Sequence, residues 1–142
     1  MVTLLNYMNV IHINAAVGAP MPLRPDQEFQ EFLHTGRFML QRGRRSGRYI
    51  FYPRAVEPGT GDTDLEWVEA SGHGTVYAVT VVRPKPPQPA YNVVLIDLAE
   101  GPRMMSRVDG IDPEKVAIGM KVCARIVQEA EGYYVVFEPE QP

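Results

Sequence analysis

The sequence predicts a mainly β protein, in which a short N-terminal helix and a small ribbon-like module precede a five-stranded barrel of the OB type. Three observations lead to this fold class. Residues 65–142 contain about five runs rich in β-branched and aromatic residues, separated by turn signals. Before them, two polar turns, GRRSG and EPGTG, flank a strand-like aromatic run, and a short segment upstream has helical apolar spacing. A β-sandwich of similar size is the structural alternative.

The composition is that of an ordinary globular protein. The 142 residues are 45% hydrophobic and 22% charged, which suits one domain or two small ones. A single cysteine, Cys123, excludes an internal disulfide, and a reducing cytoplasm is the simplest location. Residues 1–19 are apolar but lack the positive start of a signal peptide and the length of a membrane span, so they are predicted to form an extension of a cytoplasmic protein.

The first predicted module covers residues 20–64. Its segment DQEFQEFLHTG places Phe29, Phe32 and Leu33 on one helical face, with acids early and Gly36 where a helix favours a terminal glycine. The runs RFMLQRG and RYIFYPR are predicted strands on either side of the first turn. A module of this size has little room for a core of its own.

The barrel is predicted over residues 65–142. LEWVEASGHGTVYAVTVVR is interpreted as a long strand bent at its two glycines, followed by the stiff proline-rich loop PKPPQPAY. A hairpin turning at Glu100-Gly101, a polar excursion with one helical turn in DPEKVAIGM, and the strands KVCARIVQ and YYVVFEP complete the series. Trp67, Tyr77 and Phe137 are expected in the core.

No catalytic constellation is evident in the sequence. The three histidines are far apart and no nucleophile motif occurs. Cys123 alternates onto the more polar face of its strand, where a small structural side chain is the favoured interpretation. The two polar turns have the spacing of metal-binding knuckles, but structural zinc requires four Cys or His donors. The corner residues offer none, so no zinc is predicted; they are Gly43, Ser46, Glu57 and Thr60.

Arginines are concentrated between residues 37 and 54, beside Tyr49, Phe51 and Tyr52. Basic residues interleaved with aromatics are typical of single-stranded nucleic-acid sites on OB barrels. The isoelectric point of about 5.6 and the acids toward the C-terminal end argue against this use, which remains an alternative.

The order of motifs resembles the DUF35 family, which combines a rubredoxin-like zinc ribbon with an OB-fold and is associated with acyl-CoA enzymes. The resemblance covers about Pro20 to Pro139. It rests on the order of the segments and on three short pieces: GHGTVY at Gly72–Tyr77, EGPR at Glu100–Arg103 and IGM at Ile118–Met120. In the family, zinc-binding cysteines would fall on the four corner positions. The resemblance therefore implies a member that has lost the zinc site.

The same resemblance implies a function that composition does not. It implies a non-catalytic scaffold subunit that helps position acyl-CoA for a partner enzyme. The first expected partner is an enzyme of the thiolase fold, such as a thiolase, an acyltransferase or an HMG-CoA synthase, and hydratases and aldolases are further expected partners. No tightly bound cofactor is expected, whereas CoA or acyl-CoA is expected in the complex. A stand-alone acyl-CoA binder is another alternative. The predicted partner or acyl-CoA contacts are Arg44, Arg45, Arg48, Arg54, Arg83, Pro86, Pro87 and Tyr91.

Overall fold

A computed structural model describes residues 24–141, and the apolar extension predicted at residues 1–19 lies outside this range. Within it, one helix, α1 (Pro25–His34), precedes eight strands. These are β1 (Met39–Gly43), β2 (Tyr49–Ile50), β3 (Leu65–Glu69), β4 (His73–Val82), β5 (Tyr91–Leu98), β6 (Arg103–Ser106), β7 (Lys121–Glu129) and β8 (Gly132–Pro139). A 3-10 turn, Pro113–Lys115, lies between β6 and β7, in the predicted polar excursion.

The helix α1 forms where the spacing predicts it. The first residue of a helix has no intrahelical acceptor for its N–H, so the proline at this position loses no hydrogen bond. The acids of the first turn lie at the positive end of the helix dipole. Phe32 and Leu33 are buried on one face. The helix ends before Gly36, whose φ of 84° is a left-handed conformation that glycine adopts without steric cost.

A three-stranded antiparallel sheet of order β2-β1-β3 forms the smaller module. The predicted strand RYIFYPR is paired over Tyr49–Ile50 alone. Beyond it, the side-chain amide of Gln41 binds both the N–H and the carbonyl of Arg54. These two hydrogen bonds take the place of backbone pairing between strands. The predicted long bent strand also divides, because β3 pairs with β1 whereas β4 joins the larger sheet. The chain therefore changes sheets at residues 70–72.

The larger sheet has the order β6-β5-β4-β7-β8, with antiparallel neighbours throughout. Val108, just after β6, forms a parallel bridge with Phe137 of β8 and brings the two edges together. This nearly closed barrel is the OB fold that the sequence predicts, rather than the alternative sandwich.

One buried cluster serves both modules. Leu33 and Leu40 from the smaller module pack in the same cluster as Ile96 and Phe137 of the barrel. Because the smaller module adds its apolar residues to the barrel core, it does not need a separate core of its own.

The three predicted core aromatics have different outcomes. Phe137 is fully buried, as predicted. Trp67 is half-buried, and its ring lies 5.3 Å from that of Phe32. The prediction for Tyr77 is wrong, because its side chain is 48% exposed. A register shift between Val76 and Ala78 interrupts the alternation of β4 at this residue, and the Arg103 guanidinium covers its ring at 3.3 Å from the centroid.

No helix among residues 24–141 is long and apolar enough to cross a membrane.

Candidate functional site

A large groove lies between α1, the segment that follows β2, and one side of the barrel. Its volume is about 1180 Å³. Phe29 and Gln30 of α1 form one wall, and Phe51–Pro53 form the next. The barrel wall comes from the start of β5, from β6 and from the turn and strand at residues 129–136. The groove therefore joins the smaller module to the barrel.

Exposed apolar residues are concentrated in this groove. Among the described residues, seven large hydrophobic side chains are exposed: Tyr52, Val56, Tyr77, Tyr91, Met105, Ile118 and Tyr134. Four of the seven line the groove, namely Tyr52, Tyr91, Met105 and Tyr134. Single exposed apolar residues are normal on a protein surface, but a cluster of them marks a binding surface.

The charged rim of the groove is mainly acidic. Exposed carboxylates of α1 and of the β7–β8 turn line it: Asp26, Glu31, Glu129 and Glu131. Arg107 is the one cation among the described lining residues, and it donates hydrogen bonds to Asp109 at 2.9 Å and to Glu129 at 2.7 Å. The bond to Asp109, with a smaller contribution from Glu129, raises the pKa of the Arg107 guanidinium above its usual value. The rim is therefore unfavourable for a phosphate chain.

A glutamine fixes the helical wall of the groove. Gln30 donates from Nε2 to the carbonyl of Tyr133 at 2.9 Å and accepts from the backbone N–H of Tyr133 at 3.0 Å. Ring contact between His34 and Tyr133, with centroids 5.0 Å apart, continues this packing. The amide thus pairs with β8 much as another strand would.

A second glutamine fixes the aromatic wall. Gln41 of β1 is buried, and its amide donates to the carbonyl of Arg54 at 2.7 Å and accepts from the Arg54 N–H at 2.6 Å. This holds the segment that carries Phe51 and Tyr52, and the Phe51 ring meets Phe29 of α1 edge-on at 5.7 Å. Both neighbouring walls of the groove are thus held by side-chain amides.

The four corner positions of the ribbon-like turns meet at a carboxylate. Glu57 is 2% exposed; its Oε1 accepts a hydrogen bond from Ser46 Oγ at 2.7 Å and its Oε2 accepts one from Arg48 Nη2 at 2.7 Å. The nearby Thr60 side chain makes a smaller contribution to lowering the pKa of the Glu57 carboxyl. A Cβ atom built on Gly43 would lie 2.0 Å from Glu57 Oε1, so any side chain at this corner would have to displace the carboxylate.

These residues do not fit a structural zinc ion. One corner has no side chain and two offer hydroxyl groups, which are poor zinc donors. The fourth is a carboxylate whose charge Arg48 already balances. The hydrogen bond from Arg48, and then that from Ser46, lowers the pKa of Glu57 below its usual value against the opposing effect of burial. The turns are therefore held by an ionised carboxylate and its donors.

The predicted arginine contacts of the ribbon occupy different environments. Arg44 lies 3.1 Å from Asp64, Arg45 lies 3.7 Å from Asp62, and Arg48 binds Glu57. The exposed Arg54 has no acidic side-chain partner among residues 24–141, and it directly follows Pro53 of the groove. Arg54 is thus adjacent in sequence to the groove without lining it, and the other three arginines lie at the turns.

The predicted contacts of the proline-rich loop are also divided. Arg83 forms an ion pair with Glu114, and Pro86 and Pro87 are exposed in the loop between β4 and β5. Tyr91, at the start of β5, lines the groove. Tyr91 is therefore the predicted contact that itself forms part of the groove.

Sequence reasoning missed Met105 and Tyr134, which the groove includes. Both belong to adjacent pairs in strands: Met104-Met105 in β6 and Tyr133-Tyr134 in β8. Strand alternation sends two adjacent side chains to opposite faces, so one member of each pair can be exposed. Met104 is 4% exposed and Met105 58%. Two adjacent large apolar residues in a predicted strand could therefore have indicated that one of them is exposed.

Comparison with known proteins agrees with the OB fold of the barrel. A family model described as the ChsH2 C-terminal OB-fold domain matches residues 67–127. A solved structure titled Ltp2-ChsH2(DUF35) aldolase superposes with a TM-score of 0.71 and 31% sequence identity, covering 84% of this chain and 98% of the other.

Two curated relatives match parts of the chain. A probable enoyl-CoA hydratase alpha subunit from Thermomonospora curvata is 39% identical over 90 residues, which cover 60% of this chain and 28% of the relative. A DUF35 domain-containing scaffold protein from Pyrococcus furiosus is 32% identical over 82 residues, which cover 54% of this chain and 60% of the relative. The matched region thus spans less than two thirds of each of these relatives.

Proposed function

Because this chain belongs to the DUF35 family, we propose that it is a non-catalytic accessory subunit of an enzyme complex that acts on coenzyme A thioesters. The names of its relatives support this class, since one is a probable enoyl-CoA hydratase alpha subunit, one is a scaffold protein and one is part of an aldolase. Within the class, a thiolase-fold enzyme is the partner we propose first, and a hydratase or an aldolase is the next.

The observation that carries the proposal is the groove. Four of the seven exposed large hydrophobic residues in the described part of the chain line it. Removing exposed apolar side chains from water lowers the free energy of the system, so a partner that covers these residues is bound favourably. Tyrosine and methionine are also residue types that protein interfaces favour, because they bury a large area and adapt to a partner.

The acidic rim decides between kinds of occupant. Four carboxylates surround the groove against one guanidinium that is already paired. Polyphosphates and nucleic acids would be repelled, whereas a protein surface with Lys or Arg around an apolar centre would be attracted. We therefore propose that the groove binds the partner enzyme and that the CoA phosphates lie outside it. Arg54, which follows the lining residue Pro53 and has no acidic side-chain partner among the described residues, is the proposed contact for a CoA phosphate.

Catalysis is proposed to reside on the partner. The contribution of this chain is to hold the partner and to orient a long, flexible thioester at the shared boundary, which can accelerate a reaction without supplying a reactive group.

The test is affinity capture of the tagged chain from extract of its native cells, followed by mass spectrometry. We expect a CoA-thioester enzyme in near-stoichiometric amount with the wild type and a loss of about tenfold or more with Met105→Glu, since a charge would be buried at the interface centre. Ile118→Glu is the matched control, because Ile118 is 71% exposed and lies outside the groove.

Two results would overturn the proposal. One is capture of no enzyme that acts on CoA thioesters. The other is equal loss of the captured enzyme in the Met105 and Ile118 variants, which would remove the groove from the interface. The identity of the captured enzyme distinguishes the thiolase-fold partner from a hydratase or an aldolase.

A further inference from the structure

We propose that His73, Cys123 and Glu140 form a binding site for a divalent transition-metal ion, with zinc as the preferred ion. The three side chains lie on the barrel, and none of them lines the groove or belongs to the ribbon turns. Their ligand atoms, a ring nitrogen, a sulfur and a carboxylate oxygen, all lie within 4.8 Å of one another.

The distance between sulfur and nitrogen matches that expected for zinc. Cys123 Sγ and His73 Nδ1 are 3.7 Å apart. In a tetrahedral site with a Zn–S bond of about 2.3 Å and a Zn–N bond of about 2.0 to 2.1 Å, these two atoms would be about 3.6 Å apart. Sulfur and nitrogen could thus bind one ion with little movement. The exposed Glu140 carboxylate needs a shift on the order of 1 Å, which rotation of its side chain supplies.

Secondary structure holds the three backbones in place. His73 and Cys123 are direct cross-strand partners in the pairing of β4 with β7. The carbonyl of His73 accepts a hydrogen bond from the Ala99 N–H at 2.9 Å. Glu140 follows β8, and its N–H donates to the carbonyl of Lys121 at 2.9 Å. Three strands thus converge on the site, and a bound ion would link β4, β7 and the end of β8.

The local charges also suit a divalent cation. Cys123 would bind as a thiolate, and with the Glu140 carboxylate it supplies two negative charges to balance the ion. The neighbouring acid Glu138 is held by Arg125 at 2.6 Å, whereas Glu140 has no ion pair among residues 24–141. A thiolate, an imidazole and a carboxylate together favour zinc over magnesium or calcium, which bind oxygen donors alone. Three protein ligands leave a fourth position for water or a partner's group.

The direct test is a zinc titration of the full chain, stripped of metal and kept reduced by a thiol-free reductant, against a chromophoric chelator. We expect one zinc ion per chain. The variants Cys123→Ser and His73→Ala should each weaken zinc binding by about tenfold or more, because each removes a side chain that coordinates the ion directly. The controls are His34→Ala, which removes a histidine of α1, and Glu57→Gln, which alters the ribbon carboxylate; both should bind zinc as the wild type does.

Cobalt gives a second readout that does not depend on affinity. Cobalt bound to the wild-type chain should produce a sulfur-to-metal charge-transfer band, and this band should be absent in Cys123→Ser. If the serine variant fails to fold, the wild-type cobalt spectrum and His73→Ala still decide. The proposal is overturned by zinc binding below one ion per chain at saturation, by undiminished binding in Cys123→Ser, or by loss of binding in Glu57→Gln.

Discussion

At the residue scale, Glu57 joins the two polar turns through a set of hydrogen bonds. The family resemblance implies a zinc-binding cysteine at this position in relatives, and here the position holds a buried carboxylate with Ser46 and Arg48 as donors. A carboxylate can accept several hydrogen bonds at once, as a metal ion can bind several ligands. It therefore connects both turns, but its strength depends on its ionisation.

This dependence predicts acid sensitivity. The pKa of Glu57 is lowered in the folded protein by Arg48 and then by Ser46. Its stabilising contribution is therefore complete above the unfolded pKa of about 4.3, and it is lost as the pH falls through the lower folded value. We expect the midpoint temperature of unfolding of the wild type to decrease as the pH is lowered below about 4.3. In Glu57→Gln, where no proton can be gained, the fall should be shallower.

Thermal unfolding monitored between pH 7 and pH 3 checks this prediction. Glu131→Gln is the control, because Glu131 is an exposed carboxylate on the β7–β8 turn. It should keep the acid slope of the wild type. Equal slopes in the wild type and in Glu57→Gln would contradict the role assigned to this carboxylate.

At the element scale, three side-chain amides join elements that backbone pairing leaves apart. Gln30 connects α1 to β8, Gln41 connects β1 to the segment after β2, and Asn92 connects β5 to the chain after β6. Each amide binds both the N–H and the C=O of a single residue. The two glutamines orient walls of the groove, so part of the proposed interface depends on them.

Asn92 offers the strongest test of this arrangement. It is 4% exposed, and its amide donates to the carbonyl of Val108 and accepts from the Val108 N–H, each at 2.8 Å. The variant Asn92→Ala leaves the buried N–H and carbonyl of Val108 without their hydrogen-bond partner. We expect it to lower the free energy of unfolding by about 2 to 4 kcal/mol. Chemical denaturation measures this change. Gln128→Ala, at an exposed position of β7, should stay within about 0.5 kcal/mol of the wild type, and a similar effect of both variants would contradict the prediction.

At the scale of the whole molecule, the smaller module and the barrel share one buried cluster. Leu40 of β1 is 1% exposed and belongs to that cluster together with Phe137 of the barrel. A shared core couples the two modules energetically. The groove between them is consequently a surface of the whole fold, and a partner bound there would stabilise both modules at once.

The shared core predicts a single unfolding transition. Fluorescence of Trp67, the one tryptophan of the sequence, reports on the smaller module, whereas far-UV circular dichroism reports mainly on the barrel strands. We expect both signals to change at the same denaturant concentration. The variant Leu40→Ala should shift both together by about 2 to 5 kcal/mol, because it leaves a cavity in the common core.

Separate transitions, or a shift of the tryptophan signal alone, would contradict this coupling. Val56→Ala is the control, since Val56 is 41% exposed and lies outside the buried cluster.

The sequence by itself determined the type and order of most of the elements. The helix spacing of Phe29, Phe32 and Leu33, the hairpin at Glu100-Gly101 and the last two strands agree with the structure. These features arise from local causes: the period of apolar residues and the conformational needs of turns. The motif order likewise identified the family, because it is itself a property of the sequence.

Tertiary structure decided what depends on contacts between distant residues. Tyr77 follows the buried Val76 and lies exposed on the opposite face, at a register shift in β4, and β3 pairs with β1 rather than continuing into the barrel sheet. Residues about fifty positions apart, such as His73 and Cys123, meet through strand pairing that periodicity does not specify. The groove likewise combines α1, the segment after β2 and the barrel, so its position follows from packing and not from local sequence pattern.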